Sequence, residues 1–234
     1  MSKPAVRLDT PKERAHAWYH ALIRQHNLVN VFWLNLHPVV EGELYRSAQP
    51  TPWQLKGLIR RHGFRSVVNL RGHKPHYPVY ALEKRACEEA GVEMIDVSLY
   101  SRRVPTDVEL RRLKEAFEKA PKPALMHCKA GADRSSLAAA LYLHWFHGVP
   151  VAEAARRHLR FWPYGYIQGS GAGVIAAWFD AFAEYEKSHP GADIIEWSAR
   201  FRDRDARKAF EKAFRENRAN PLADFFYEKI LRRE

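Results

Sequence analysis

The stretch from His127 to Ser135 constrains the fold of this chain most strongly, because it joins a predicted strand to a predicted helix through a short loop. An apolar run at 124–126 precedes it, and a long apolar pattern of helical period follows it at 136–146. In such a connection the N–H groups of the loop and of the helix N-terminus point toward one spot, where they favour an anion. The sequence therefore predicts a phosphate-binding loop at the carboxyl end of a buried strand.

Two side chains of this stretch suit a bound phosphate. The planar guanidinium of Arg134 can bind two phosphate oxygens at once. The positive field of the loop would hold Cys128 as a thiolate, which is the form that attacks phosphorus. An inert buried thiol is the alternative interpretation of Cys128, but burial alone would not require a histidine, a glycine and an arginine beside it.

Strands and helices alternate through the middle of the chain. Helical patterns separate runs of strand length at 44–50, 65–70, 92–97 and 124–127. This alternation predicts an α/β fold with a central, mostly parallel sheet of four to five strands flanked by helices. Ligands of such sheets bind at the carboxyl ends of the strands, which is where the predicted phosphate loop lies.

Extra helices are expected at both ends of the chain. An aromatic-rich region at 14–36 predicts one or two N-terminal helices, and mixed-charge helical patterns, interrupted at Asn220-Pro221, follow His189-Pro190-Gly191. The expected organisation is a partly helical N-terminal extension at 1–40, a catalytic domain at 41–188 and a C-terminal helical extension at 189–234.

The chain is strongly basic, which indicates anionic partners. It contains 38 lysine and arginine residues against 27 aspartate and glutamate residues, giving a formal net charge of +11. Phosphorylated groups, nucleic acid and acidic membrane surfaces suit this charge, as does an ordinary solvated surface. We expect no nucleic-acid partner, because the sequence has no zinc-finger spacing and no base-stacking motif.

The two cysteines, Cys87 and Cys128, exclude a disulfide framework and a four-cysteine zinc site. A reducing compartment suits a reactive thiol. The N-terminus lacks the apolar segment of a signal peptide, and no apolar run approaches the ~18 residues of a membrane span. We therefore expect a cytoplasmic protein. The aromatic region at 14–36 leaves peripheral contact with an anionic inner membrane open as an alternative.

His127-Cys128, five further residues and Arg134-Ser135 resemble the signature of the cysteine-dependent phosphatases, which include the tyrosine and dual-specificity protein phosphatases and their phospholipid-directed relatives. The order of elements from about Leu44 to Lys187 also resembles the dual-specificity core of bacterial members. The resemblance implies an enzyme that hydrolyses phosphomonoesters through a phosphocysteine intermediate, with neither a metal nor another cofactor.

The resemblance also implies roles for individual residues. Cys128 would be the nucleophile, and Arg134 would bind the phosphoryl oxygens and the charge of the transition state. His127 would orient the loop and help keep the thiolate, while Ser135 would stabilise the thiolate as it leaves. Further candidates for phosphate or substrate binding are Lys129, Ala130, Gly131, Ala132, Arg102, Arg103 and Arg71. Gln168 is similar to the glutamine that positions the hydrolytic water.

The general acid departs from the family pattern. Related enzymes usually supply an aspartate from the loop after the preceding strand, but here the loop at 98–105 contains no carboxylate. Asp133, inside the phosphate loop, is the favoured acid, because myotubularin-like and Sac-type lipid phosphatases carry an aspartate at that place. Asp96 and Asp107 are the alternatives, and Asp107 also lies in a helix-capping box.

The substrate stays open between two classes. The commonest assignment in the family is a tyrosine or dual-specificity protein phosphatase, which places a phosphorylated protein first. Lys129, Asp133 and the aromatic N-terminus favour a phosphorylated lipid or glycolipid head group, of the phosphoinositide or phosphatidylglycerophosphate kind, as the alternative. The alternative from another functional class is a catalytically weak pseudo-phosphatase that binds phosphate. A redox disulfide between Cys87 and Cys128 is a further open alternative.

Overall fold

The computed structural model describes residues 4–24 and 28–216, and its contacts divide the chain into two units. Met1–Ser98 and Lys119–Gly131 form the first unit, and Leu99–Glu118 and Ala132–Glu234 form the second. The predicted division of the chain after residues 40 and 188 concerns function and stays a prediction. Residues 217–234 of the predicted C-terminal extension, with the interruption at Asn220-Pro221, lie outside the described residues.

A five-stranded sheet, as far as the described residues go, lies entirely in the first unit. Its strands are β1 (His37–Val40), β2 (Leu44–Ala48), β3 (Ser66–Asn69), β4 (Glu93–Asp96) and β5 (Ala124–Cys128). Their spatial order is β1-β2-β5-β3-β4, and only β1 runs antiparallel to its neighbour. The predicted α/β class and the mostly parallel sheet are confirmed. The short edge strand β1 was not predicted, because a proline interrupts its apolar pattern.

The helices of the first unit are α1 (Pro11–Tyr19), α2 (Leu28–Phe32), α3 (Pro52–His62) and α4 (Pro78–Ala90), with a π-helical turn at His20–Arg24. Local signals set their ends, since α3 begins after a capping box of Thr51 and Gln54 and ends at Gly63 in the left-handed conformation. Apolar side chains of α3 and α4 pack with β2, β3 and β5 in one buried cluster. Helices of this unit therefore cover the strand that leads to Cys128.

The regular elements of the second unit are helices, as far as the described residues go. It contains α5 (Asp107–Lys119, apart from its last residue), α6 (Asp133–His147), α7 (Val151–His158), α8 (Val174–Ser188), α9 (Ile194–Trp197) and α10 (Arg204–Glu216), with 3-10 turns at Gly171–Gly173 and Ser198–Arg202. The Trp197 ring lies 5.4 Å from the Phe182 ring and 5.4 Å from the Phe201 ring. The chain beyond 189 thus packs on α8 through aromatic side chains. No helix of the described chain is long and apolar enough to cross a membrane.

Candidate active site

The predicted phosphate loop begins at the end of the central strand. Cys128 is the last residue of β5 and is buried, and α6 begins at Asp133. Gly131 lies between them with a φ of 68°. A Cβ atom added at Gly131 would lie 2.5 Å from the backbone nitrogen of Ala48, so both the φ angle and the close approach of β2 require glycine here.

Side chains from elsewhere in the first unit hydrogen-bond the carbonyl groups of this loop. The donors are Asn30 Nδ2 for the Lys129 carbonyl at 2.9 Å, Asn35 Nδ2 for the Ala130 carbonyl at 3.1 Å and Arg46 Nη2 for the Gly131 carbonyl at 2.6 Å. A trans peptide directs its C=O and N–H groups to opposite sides. The N–H groups of Ala130 and Gly131 therefore face away from these donors, as an anion-binding loop requires.

His127 pairs with a carboxylate that the sequence analysis did not single out. Its Nε2 atom lies 2.7 Å from Oε1 of Glu83, and both side chains are fully buried. Burial lowers the pKa of His127, but the Glu83 carboxylate outweighs this effect, so the pKa is raised overall. The imidazolium is therefore favoured directly beside Cys128.

The Glu83 carboxylate also connects to Arg71. Its Oε2 atom accepts a hydrogen bond of 2.6 Å from Gln49 Nε2, and Gln49 Oε1 accepts one from the Arg71 guanidinium. Arg71 is partly exposed and follows β3. The structure thus joins His127, Glu83, Gln49 and Arg71 in one polar chain within the first unit, and Arg71 is its outer end.

Asp133, Arg134 and Ser135 form the first turn of α6 in the second unit, and no side chain caps this helix at Ala132. Among the described residues, the buried Nε of Arg134 and the buried Oγ of Ser135 have no hydrogen-bond partner. Unsatisfied buried donors are costly in a folded protein. At the uncapped start of a 15-residue helix, they point to a bound anion as the missing acceptor.

Asp133 is buried and acts on an aromatic hydroxyl of its own unit. Burial raises the pKa of Tyr166, and the charge of Asp133 raises it further. The Tyr166 hydroxyl donates a 2.8 Å hydrogen bond to the Ala172 carbonyl. Asp133 thus lies buried at the start of α6, next in the chain to the residue that was predicted to bind the phosphoryl group.

The basic loop before α5 is braced by charged side chains of its own unit. Arg103 pairs with Glu109, and its guanidinium lies 3.8 Å from the centre of the Tyr100 ring. The Arg102 side chain lies along Gly171. Gln168 is exposed in the turn that precedes this glycine. The substrate contacts predicted for these residues stay predictions.

The two alternative acids are held by different partners. Asp107 is fully buried, and its carboxylate accepts hydrogen bonds from Arg202 Nε at 2.7 Å and from the second nitrogen of that guanidinium. The Arg202 hydrogen bonds hold the pKa of Asp107 below its usual value. Asp96 accepts hydrogen bonds from the Tyr80 hydroxyl at 2.6 Å and from Asn69 Nδ2 at 2.7 Å.

Cys87 lies on the buried face of α4. Burial, followed by the charge of Glu83, raises the pKa of its thiol. A thiol in this setting is held protonated and is therefore unreactive.

The sequence analysis missed five residues that contact this region: Asn30, Asn35, Arg46, Gln49 and Glu83. A signal was present for Glu83, because it lies on the apolar stripe of α4 between Val79 and Cys87, where a carboxylate needs a buried partner. Arg46 likewise lies inside a buried strand. Nothing in the spacing of Asn30 and Asn35 indicates that they reach the loop.

Comparisons with known proteins identify the family of this chain. The model of the family described as "DSP-PTPase phosphatase fused to NAD+ Kinase" matches residues 35–160, which is more than half of the chain. The chain is similar to TpbA of P. aeruginosa, with 25% identity over 71% of this chain and 91% of that one and a TM-score of 0.48. The search of curated proteins gives no match.

Two further solved structures are similar to this one. PTPMT1 is 21% identical over 66% of this chain and 99% of its own, with a TM-score of 0.48. The catalytic domain of the PP-IP phosphatase SIW14 from S. cerevisiae is 21% identical over 67% and 93%, with a TM-score of 0.44. Because the family model spans more than half of its residues, this chain belongs to the DSP-PTPase phosphatase family and is a cysteine-based phosphatase.

Proposed function

We propose that Cys128 is the nucleophile of a tyrosine or dual-specificity type protein phosphatase. Its thiolate attacks the phosphorus of a phosphomonoester, the P–O bond to the leaving group breaks, and a phosphocysteine forms. Water then attacks this phosphorus, the S–P bond breaks, and the products are inorganic phosphate and the restored thiolate. The observation that carries the proposal is the loop after Cys128, in which the carbonyl groups of Lys129, Ala130 and Gly131 accept hydrogen bonds from side chains outside the loop.

Arg134 and Ser135 complete this chemistry in the proposal. The guanidinium of Arg134 binds the equatorial oxygens, where charge accumulates in the transition state. The Ser135 hydroxyl stabilises the thiolate as the S–P bond breaks. Two buried atoms support these roles, because the Nε of Arg134 and the Oγ of Ser135 have no hydrogen-bond partner among the described residues. His127, kept protonated by Glu83, lowers the free energy of the thiolate in both steps.

Asp133 is the proposed general acid, which gives a proton to the leaving oxygen. The loop at 98–105 carries no carboxylate. Asp107 suits the role poorly, because Arg202 keeps its pKa low. Asp96 already accepts two hydrogen bonds. Replacement Asp133→Asn should slow hydrolysis of an alkyl phosphate about 100-fold or more and of a nitrophenyl phosphate much less, because nitrophenolate leaves without a proton. Equal losses on both substrates would remove Asp133 from this role.

A phosphorylated lipid or glycolipid head group is the second candidate substrate. The N-terminal segment of the first unit exposes several large apolar side chains, of which Phe32 is 86% exposed and Trp33 58%. Exposed aromatics in a basic protein suit an anionic membrane surface. Lys129 adds a positive charge next to the nucleophile. This candidate implies peripheral membrane contact, whereas a phosphoprotein substrate does not.

The test is a substrate panel of phosphopeptides, phosphoinositides and phosphatidylglycerophosphate, measured by phosphate release. Cys128→Ser should abolish turnover, chelators should have no effect, and the matched control Cys87→Ser should retain activity. Preference for phosphopeptides supports the first candidate, and preference for lipids in vesicles supports the second. If the purified protein releases no phosphate from any substrate, including a nitrophenyl phosphate, the pseudo-phosphatase alternative replaces both.

A further inference from the structure

We propose that Asn30 and Asn35 are positioning residues of the active site, which fix the phosphate loop from the N-terminal segment 30–36. This inference rests on the proposed function of the loop. It assigns part of the predicted N-terminal extension to the catalytic apparatus. They act through the backbone of Lys129 and Ala130, whose carbonyl groups accept their hydrogen bonds.

Asn30 joins two pieces of backbone next to the nucleophile. Its Nδ2 atom donates to the Lys129 carbonyl at 2.9 Å and to the Gln49 carbonyl at 3.1 Å. The Gln49 N–H also donates to the Lys129 carbonyl, at 3.3 Å. Both protons of this one buried amide are thus directed at main-chain acceptors, and they connect the loop to the end of β2.

Asn35 holds the next peptide group of the loop. Its Nδ2 atom donates to the Ala130 carbonyl at 3.1 Å, and only 8% of the residue is exposed. Asn35 has a φ of 51°, and among the described residues no other non-glycine residue has a positive φ. Asparagine tolerates this conformation better than most residues. A strained residue held in place by a hydrogen bond to a catalytic loop is typical of a functional constraint.

The segment itself is anchored to the sheet and to α3. The Leu34 carbonyl accepts a 2.7 Å hydrogen bond from the Ala48 N–H. Gln54 Nε2 donates to the carbonyls of Asn30 and Val31, both at 3.2 Å. The same Gln54 closes the capping box of α3. The two asparagine amides are therefore presented from a fixed backbone and not from a free tail.

Neutral amides suit this task. They fix the orientation of two carbonyl groups, and so of the N–H groups of Ala130 and Gly131 on the opposite side, without adding a charge that would compete with the phosphate. Without the amide of Asn35, the Ala130 peptide can rotate and turn its carbonyl toward the anion. The expected consequence is weaker binding of phosphate and of the transition state by a loop that is still folded.

The experiment measures the affinity for inorganic phosphate by calorimetry, together with kcat and KM on a nitrophenyl phosphate. Asn35→Gly removes the amide and keeps the left-handed backbone. Asn30→Ala removes the other amide, and alanine is a good helix former, so α2 is preserved. We expect each to weaken phosphate binding and kcat/KM about five- to tenfold, the range for one lost hydrogen bond. Thr10→Ala is the control, because it removes the cap of α1, which belongs to the same N-terminal extension and lies outside the segment 30–36.

Asn35→Asp is the isosteric variant that separates positioning from stability. An ionised carboxylate cannot donate to the Ala130 carbonyl, so we expect a loss of about 100-fold at neutral pH. Protonation restores one donor, so the defect relative to wild type should shrink as the pH falls below about 5. If this recovery only follows a recovery of the free energy of unfolding, measured with urea at the same pH values, the role of Asn35 is merely structural.

Wild-type phosphate affinity in both Asn30→Ala and Asn35→Gly would overturn the proposal while leaving the proposed function intact. A parallel loss in Thr10→Ala would also overturn it, because the effect would then follow from general weakening of the N-terminal extension. If Asn35→Gly does not fold, Asn30→Ala carries the same test. If the wild type binds phosphate but does not hydrolyse any substrate, the proposed function fails. The phosphate affinities of the variants then still decide the role of the two amides.

Discussion

An N-terminal segment holds the loop after Cys128 and a C-terminal segment holds the loop before α5, but the two segments do so with different forces. In the first unit, Asn30 and Asn35 hold loop carbonyls through buried, neutral amides. In the second unit, Arg202 pairs with Asp107 at the start of α5, and Glu211 accepts a 3.3 Å hydrogen bond from the Val104 N–H. The C-terminal contacts involve ionised side chains, and the side chain of Arg202 is 60% exposed.

This difference indicates what each loop requires. A hydrogen bond between buried neutral groups has a narrow range of distance and angle, so it fixes a backbone position closely. An ion pair that faces solvent is tolerant of geometry and is screened by salt. The phosphate loop, whose Gly131 carbonyl also accepts a hydrogen bond from the buried Arg46 guanidinium, is thus held by position in buried surroundings, whereas the loop before α5 is held by charged groups near solvent. The following substitutions test this contrast, beginning with the largest expected effect.

Among these substitutions, Gly131→Ala in the first unit should be the most damaging. The new Cβ atom would lie 2.5 Å from the Ala48 nitrogen, and the positive φ of the position disfavours alanine. We expect a loss of about 4 kcal/mol of unfolding free energy, or a loop too displaced to bind phosphate, because neither backbone can move without breaking the sheet. Urea unfolding and phosphate titration measure this, with Gly42→Ala, which has open space but a similar φ, as the control.

A Gly131→Ala variant as stable and as active as Gly42→Ala would show that the loop has room to shift. The claim that it is held by position would then be wrong.

Glu83→Gln should have the next largest effect, because it leaves His127 without its buried counter-charge. Breaking a buried pair of this kind costs about 3–5 kcal/mol. The pKa of His127 is raised in the folded state, so this stabilisation is fully present below the unfolded pKa of about 6.5 and is lost as the pH rises through the folded value. The destabilisation should therefore be larger at pH 6 than at pH 9, as measured by urea unfolding.

Glu89→Gln is the matched control on the same helix, because Glu89 pairs with Lys56 and Arg85 at the surface. A Glu83→Gln penalty that grows as the pH rises would contradict the assignment of a charged His127.

Asp107→Asn, in the second unit, should have a smaller effect. The Arg202 hydrogen bonds keep the pKa of Asp107 low, so its contribution is present above the unfolded pKa of about 3.9 and is lost as the pH falls through the folded value. We expect Asp107→Asn to lower the free energy of unfolding by about 1 kcal/mol at neutral pH. The loss is this small because Arg202 faces solvent, which weakens the ion pair. The penalty, from urea unfolding, should shrink in 1 M salt, unlike that of Glu83→Gln. Equal salt responses in the two variants would remove the distinction between the units.

Glu211→Ala should have the smallest effect, within about 0.5 kcal/mol, because it removes one long hydrogen bond at a partly exposed site. If the Val104 N–H matters for the loop, the change will appear in kcat/KM before it appears in stability. A loss of stability as large as that of Asp107→Asn would show that α10 holds this loop more firmly than its contacts indicate.

Much of the fold could be predicted from local signals. The strands at 66–69, 93–96 and 124–128 follow apolar runs, and the helix ends follow glycines such as Gly63 and Gly91. The anchors of the loop could not be predicted, because the pairs Asn30–Lys129 and Asn35–Ala130 are 99 and 95 residues apart along the chain. Periodicity reports which face of an element is buried and does not report which distant backbone group a polar side chain will meet.

The position of β5 inside the sheet has a consequence for hydrogen exchange. The strand pairs with β2 along Ala124–Cys128 and with β3 from Ala124 to His127, so its amides should exchange only in the rarest openings of the first unit. Helix α2 has five residues, so its own hydrogen bonds stabilise it little, and its order depends on contacts such as those from Gln54 to the Asn30 and Val31 carbonyls. We therefore expect the amides of β5 to be protected from exchange longest, and those of the segment 30–36 only as long as these contacts persist.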